Sequence, residues 1–266
     1  MNSNKRMFFF DIDNTILSSR SQTILPQTLK TIKTLSGQSN TLLGIATGRN
    51  IKRLNVLSEI QHCFKHLVLF NGGLTQINDK VIDDRPFDKK EVQNLIDKAH
   101  AVGMKIGMTG LYQEIVPSEQ DLISPTLGYK YCTNKNSVVE PTFHLNNNVY
   151  QIWLFEPNNE KLEKFIKDLG QFEIYYWRTH CGVDLVRKGV NKIHGIRKIK
   201  ALYPEYKLIC MGDGENDVDM IKYSDIGIGI GLSHSHNEGV KKHAKLIAPD
   251  IEEDKLYDFF IKNNLF

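Results

Sequence analysis

Short, wholly apolar runs mark both ends of the chain: Met7 to Phe10, Leu42 to Ala46, Leu67 to Phe70, Leu208 to Met211, Ile226 to Ile230 and Leu246 to Ala248. Runs of this length without polar alternation predict strands buried on both faces of a parallel sheet. Between them, apolar residues recur at helical spacing, as do Leu29, Ile32 and Leu35 between Pro26 and Leu35. The same reading predicts helices over Asn50 to Ile60, Val190 to Leu202 and Glu215 to Tyr223. Strands alternating with helices predict an α/β protein built on a doubly wound parallel sheet.

The middle of the chain has a different pattern. Val92, Leu95, Ile96 and Ala99 lie on one helical face, and Glu160 to Leu169 predicts a second helix. Lys105 to Met108, Val149 to Phe155, Phe172 to Trp177 and Val183 to Val186 predict strands, with a turn at Asn146 to Asn148. Helices and aromatic strands in this arrangement are α+β in character. Pro86 and Gly189 supply breaks on either side. The expectation is a core domain in two pieces, residues 1–83 and 188–266, with a cap domain inserted as residues 84–187, an ordinary domain size.

A chain of 266 residues with 41% hydrophobic and 24% charged residues can bury a core and dissolve as a globular protein. The net charge of +3 suits an anionic small molecule, and no dense lysine–arginine block points to nucleic acid. Cys63, Cys132, Cys181 and Cys210 are scattered with no C-x-x-C pair, which fits a reducing compartment. The apolar run from Met7 to Phe10 is too short for a signal or membrane segment. A cytoplasmic protein with no membrane partner is expected.

Four polar clusters follow predicted strands or open predicted helices. Asp11 and Asp13 follow the first strand, and residues at that spacing point the same way. Two adjacent carboxylates repel unless a cation or shared proton relieves them, and Mg²⁺ takes oxygen ligands. Thr47, Gly48 and Arg49 follow the second strand and offer donors to a phosphate, although a threonine cap and tight turn have the same sequence signature. Lys192 lies just inside a predicted helix and could supply a fixed cation. Asp213, Asn216 and Asp217 sit in G-D-G-E-N-D, where two glycines allow a sharp turn and the acidic side chains gather in one loop.

The order D-I-D-N-T, A-T-G-R, N-G-G, K-I-H-G and G-D-G-E-N-D-V-D-M resembles the motif series of the haloacid dehalogenase superfamily over the whole chain. In detail it is similar to the Cof-type branch, subclass IIB. Two positions depart from that branch: Asn14 stands where glycine is usual, and Lys192 is followed by Ile-His before its glycine. Asn tolerates unusual backbone angles, so a small local effect is expected at Asn14. Asp11 and Thr47 are too close to hold a cap between them, whereas Thr47 and Lys192 are far enough apart.

The resemblance implies a Rossmann-like core with a C2B-type cap and a Mg²⁺-dependent phosphatase acting on a small phosphate ester, with sugar phosphates first. It implies that Asp11 is the nucleophile that takes the phosphoryl group and Asp13 the acid and base. Mg²⁺ is then held by the Asp11 carboxylate, the Asp13 main-chain oxygen and the Asp213 carboxylate. Thr47, Gly48, Arg49, Lys192 and Asn216 are implied on the phosphate or substrate side, Asp217 behind the metal, and Asn71 near the substrate. A phosphomutase of the phosphomannomutase type, or a phospholigand-binding module without catalysis, shares the same motifs. His62, Cys63, His66, His234 and His236 read as surface or loop residues rather than a transition-metal site. Tyr175, Tyr176 and Trp177 read as core, with Arg178 and His180 in a following loop.

Overall fold

The computed structural model describes residues 5–130, 137–177, 179–231 and 238–266. Cys132, Arg178, His234 and His236, named above, lie outside the described residues. The chain forms two compact units, one from residues 1–49, 54–84 and 191–266, the other from 50–53 and 85–190.

The first unit begins with β1 (Arg6–Phe10), α1 (Pro26–Ser36), β2 (Thr41–Ala46), β3 (His66–Leu69), β4 (Leu74–Ile77) and β5 (Lys80–Asp84). The second contains α2 (Lys89–Ala101), β6 (Lys105–Thr109), β7 (Glu114–Val116), α3 (Pro125–Lys130), β8 (Val138–Val139), α4 (Phe143–Asn146), β9 (Gln151–Phe155), α5 (Asn159–Ile166), β10 (Phe172–Tyr176) and β11 (Gly182–Arg187). The chain then returns to the first unit with α6 (Lys192–Lys200), β12 (Lys207–Gly212), α7 (Val218–Lys222), β13 (Ile226–Ile230), α8 (Glu238–His243), β14 (Leu246–Ala248) and α9 (Leu256–Lys262).

The first unit is a doubly wound α/β sheet in the order β14-β13-β12-β1-β2-β3-β4-β5. The strands are parallel from β14 to β3, and β4 and β5 extend the edge as an antiparallel hairpin. β1 is buried at every position because helices cover both faces. Phe9 packs with Ile193, Ile196 and Ile199 of α6 and Met220 of α7 on one face. On the other, Phe8 stacks with Phe10 and meets Phe260 of α9, and Phe10 meets Phe64 edge-on.

Several places outside the second sheet differ from what the sequence periodicity predicts. The segment expected as a helix from Asn50 to Ile60 is a 3₁₀ run over Ile51–Leu57. Phe70, expected as the end of a strand, has φ 51° and turns the chain, with Asn71 at φ 53° beside it. The hairpin of β4 and β5 was not anticipated, because its polar edge strand lacks an apolar run.

The second unit is α+β. Its sheet runs β10-β11-β9-β6-β7-β8, antiparallel except between β7 and β8. Helices α2 and α5 cover one face through Val92, Leu95, Ile96, Leu162 and Ile166 against Ile106, Ile152, Leu154 and Leu185. Tyr176 packs against this core, while Trp177 packs with Trp153 and Phe155 in a second cluster. Among the described residues, no helix is long and apolar enough to cross a membrane.

Candidate active site

The register of the central strands sets the site. Phe10 of β1 is level with Met211 of β12 and with Ile45 of β2. Asp11 therefore leaves β1 as Asp213 and Thr47 leave the neighbouring strands, all at the C-terminal edge where α/β sheets bind ligands. The Asp11 N–H donates to Met211 O at 2.9 Å, which extends the ladder one residue past the strand. Asn14 has φ 58°, a left-handed turn that asparagine adopts readily. Asn14 N then bonds Leu17 O, closing the loop below Asp13.

Lys192 lies at the start of α6 and is fully buried. Its ammonium donates to Asp11 Oδ1 at 2.6 Å and to Asp217 Oδ1 at 2.6 Å. A buried ammonium requires such partners, because burial disfavours its charge. Burial pulls its pKa down, but Asp11 and Asp217, through charge and hydrogen bonds, carry it well above the usual lysine value. Burial pushes the Asp11 carboxyl well up. Lys192 opposes that rise, while the carboxylates of Asp217, Asp13 and Asp213 add to it.

The carboxylates of Asp11, Asp213 and Asp217 form a buried cluster with one oxygen of each within 4.8 Å of the others, the one group of this kind among the described residues. Their roles differ. Asp217 accepts from Lys192 with Oδ1 and from the Asp213 and Gly214 N–H groups with Oδ2, at 3.0 and 2.9 Å. Both of its oxygens are thus engaged in holding the loop and the lysine. Asp11 and Asp213 are the better placed donors for a divalent ion, and all-oxygen ligands suit Mg²⁺. A cation there would also offset the repulsion that raises Asp11.

Asp13 is exposed and forms a two-point ion pair with Arg49, Nη2 to Oδ1 at 2.6 Å and Nε to Oδ2 at 2.9 Å. Thr47 is buried, and its Oγ1 accepts the Arg49 N–H at 3.2 Å, which leaves the hydroxyl hydrogen to donate. Asn71 joins two loops: its N–H donates to Thr47 O, and its Oδ1 accepts from Asn216 Nδ2 at 2.9 Å. Gly48 lies close beneath this pair, since a Cβ there would stand 3.0 Å from Asn71 Nδ2 and require the amide to shift slightly. Asn216 thus spends an amide hydrogen on Asn71, where the sequence pattern implied a phosphate.

The structure gathers Asp11, Lys192, Asp213 and Asp217 into one buried network, links Asp13 to Arg49, and ties Thr47 to Asn71 and Asn216. It also brings in Asn191 and Asp219, which motif reading passed over. Asn191 caps α6, its Oδ1 accepting from the His194 N–H at 3.0 Å, and its Nδ2 donates to Asp219 Oδ2 at 2.8 Å. An asparagine directly before a helical lysine is a sequence signal for such a cap. The pairing with Asp219 has no sequence signal.

Comparison with known proteins gives the family and the fold. Residues 8–260 match the haloacid dehalogenase-like hydrolase family, so the chain belongs to it. The family's description makes it a haloacid dehalogenase-like hydrolase. A Streptococcus pyogenes protein named "Putative bifunctional phosphatase/peptidyl-prolyl cis-trans isomerase" is 28% identical over 94% of this chain, which spans 52% of that protein's length. The Bacillus subtilis protein named "Putative phosphatase YkrA" is 24% identical over 94% of both chains. Among solved structures, the subclass IIB sugar phosphatase BT4131 has the same fold, with a TM-score of 0.79 and 22% identity over 98% of this chain and 100% of that one.

Proposed function

We propose that the protein is a Mg²⁺-dependent phosphatase that hydrolyses a small phosphorylated metabolite, a sugar phosphate first, through a phospho-enzyme on Asp11. The observation that carries this reading is the fully buried Lys192 ammonium bonded to Asp11 and Asp217 beside Asp213. A fixed cation and clustered carboxylates at the C-terminal edge of a parallel sheet suit phosphoryl transfer, where positioning and charge stabilisation dominate catalysis.

Asp11 and Asp213 would hold Mg²⁺, which when bound supplies positive charge that lets an anionic nucleophile approach an anionic phosphate. An Asp11 carboxylate oxygen attacks phosphorus as the bond to the substrate oxygen breaks. Asp13 gives the leaving oxygen a proton. It then takes a proton from water, which attacks phosphorus and breaks the bond to Asp11, releasing inorganic phosphate. Asp13 is paired with Arg49 in this structure, so its proton transfers require that pair to open. Lys192 and the Thr47 hydroxyl steady the phosphoryl oxygens, and Asp217 holds Lys192 in place. The inserted segment 84–187 is the part of the chain proposed to select the leaving group, and likeness to a sugar phosphatase puts sugars first.

The test is phosphate release over a panel of phosphorylated metabolites, with and without Mg²⁺. Asp11→Asn is expected to lower kcat by more than about 10³-fold, because the amide cannot replace the nucleophile. Near-normal turnover in that variant would sink the reading. Isomerisation of a hexose phosphate without phosphate release would assign a mutase instead.

A further inference from the structure

We infer that Asn191 and Asp219 form a positioning pair that sets the Lys192 ammonium against Asp11. The inference rests on the phosphatase reading only for its kinetic test.

Adjacent residues at the start of α6 make two parallel ties to one short segment. Lys192 reaches Asp217, and Asn191 reaches Asp219 with Nδ2 to Oδ2 at 2.8 Å. Asp217 and Asp219 bracket the start of α7. Apolar packing of Ile193, Ile196 and Ile199 with Met220 holds α6 against α7, and the Lys192 tie adds only a contact through a flexible four-carbon stem. The Asn191 tie closes through a short side chain with few rotamers and so adds a close-range polar constraint at the first turn of α6, where the ammonium is placed. The main chain of Asn191 is held as well. Gly72 has φ 106°, and a Cβ there would stand 2.2 Å from Asn191 O, so loop 70–72 presses directly on this turn. Asn191 is therefore confined by its own helix cap, by α7 and by the Gly72 backbone, one residue from the buried ammonium.

Polarity makes the pair testable without breaking the helix. Aspartate caps helices as well as asparagine does, so Asn191→Asp keeps the acceptor for the His194 N–H and loses the donor to Asp219. It also sets two carboxylates against each other. Adding Asp219→Asn reverses the polarity of the pair and restores one donor facing one acceptor.

Asn191→Asp is expected to lower kcat roughly 10- to 100-fold, the effect of a displacement near 1 Å at a reacting centre, with a smaller change in KM. The double variant Asn191→Asp with Asp219→Asn is expected to recover most of the loss. Thermal unfolding is measured for both, so that lost fold is separated from lost placement. The nuclear magnetic resonance signal of the isotope-labelled Lys192 ammonium gives a readout independent of turnover. It is expected to move in Asn191→Asp and return in the double variant. Unchanged kcat and ammonium signal in folded Asn191→Asp would overturn the inference, as would a double variant that folds but does not recover either. If the wild type releases no phosphate with Mg²⁺, the phosphatase reading fails, and the ammonium signal still decides the positioning role.

Discussion

Lys192→Met keeps the length of the side chain and removes its charge, which leaves Asp11 and Asp217 facing each other without the ammonium between them. Lys192 is 0% exposed, and the two carboxylates it bridges at 2.6 Å are 9% and 1% exposed. Breaking a buried ion pair from one side costs about 3–5 kcal/mol, because the remaining charge stays buried without compensation. That is a large share of an ordinary folding stability of about 5–15 kcal/mol. Urea unfolding followed by far-UV circular dichroism is the suitable assay, since both tryptophans, Trp153 and Trp177, lie in the other unit.

The pH dependence of that deficit carries a definite sign. Burial already holds Asp11 above the ordinary carboxylate value of 3.8, and loss of Lys192 removes the influence that opposes it. A carboxyl raised on folding contributes stability that is present below its unfolded pKa and lost as pH rises through its folded pKa. The deficit of Lys192→Met is therefore expected to be smallest near pH 4 and to widen toward neutral pH, and added Mg²⁺ should narrow it. A deficit below about 1 kcal/mol at pH 7 that stays flat with pH would refute the reasoning, since an exposed pair is worth no more than that.

Gly107→Ala tests the second unit, because a Cβ there would stand 2.1 Å from the ring of fully buried Trp153. It is expected to destabilise by about 1–3 kcal/mol in tryptophan-monitored urea unfolding, whereas Gly170→Ala, with nothing within 4 Å, should stay within about 0.5 kcal/mol. A larger loss at Gly170 than at Gly107 would contradict the packing described. His66 is buried, its Nδ1 bonds Leu43 O at 3.1 Å, and its Nε2 has no partner among the described residues, so burial lowers its pKa below 6.5. The unfolded chain then binds more protons, and stability falls as pH drops from 6.5 through the folded value, by up to about 1.4 kcal/mol per pH unit for this group. His66→Gln should flatten that slope in circular dichroism; an unchanged slope would assign it elsewhere.

Apolar runs such as Met7 to Phe10 made the buried parallel strands legible in the sequence, because a strand covered on both faces carries no polar alternation. The edge strand Lys80–Asp84 was illegible for the same reason, being half exposed and polar. Apolar spacing predicts an ordinary helix where the chain forms the 3₁₀ run over Ile51–Leu57, because that spacing does not separate the two helix types at this length. Within the site, Asp11, Thr47, Lys192, Asp213 and Asp217 were legible as motifs, each following a strand or opening a helix. The bonds of Asn71 to Asn216 and of Asn191 to Asp219 were not, since each joins residues far apart in the chain.

The sequence by itself determined the doubly wound core, the α+β character of the inserted segment, and the residue types available at the sheet edge. Local patterns carry that information, because strand burial, helix periodicity and turn chemistry are properties of neighbouring residues. Tertiary structure decided how those residues divide the work. It buried Lys192 between Asp11 and Asp217, engaged both oxygens of Asp217 and gathered Asp11, Asp213 and Asp217 in one buried carboxylate cluster. It also paired Asp13 with Arg49. Those outcomes depend on strand register and on α6 packing against α7, which bring together charges whose separation along the chain says nothing about their distance in space.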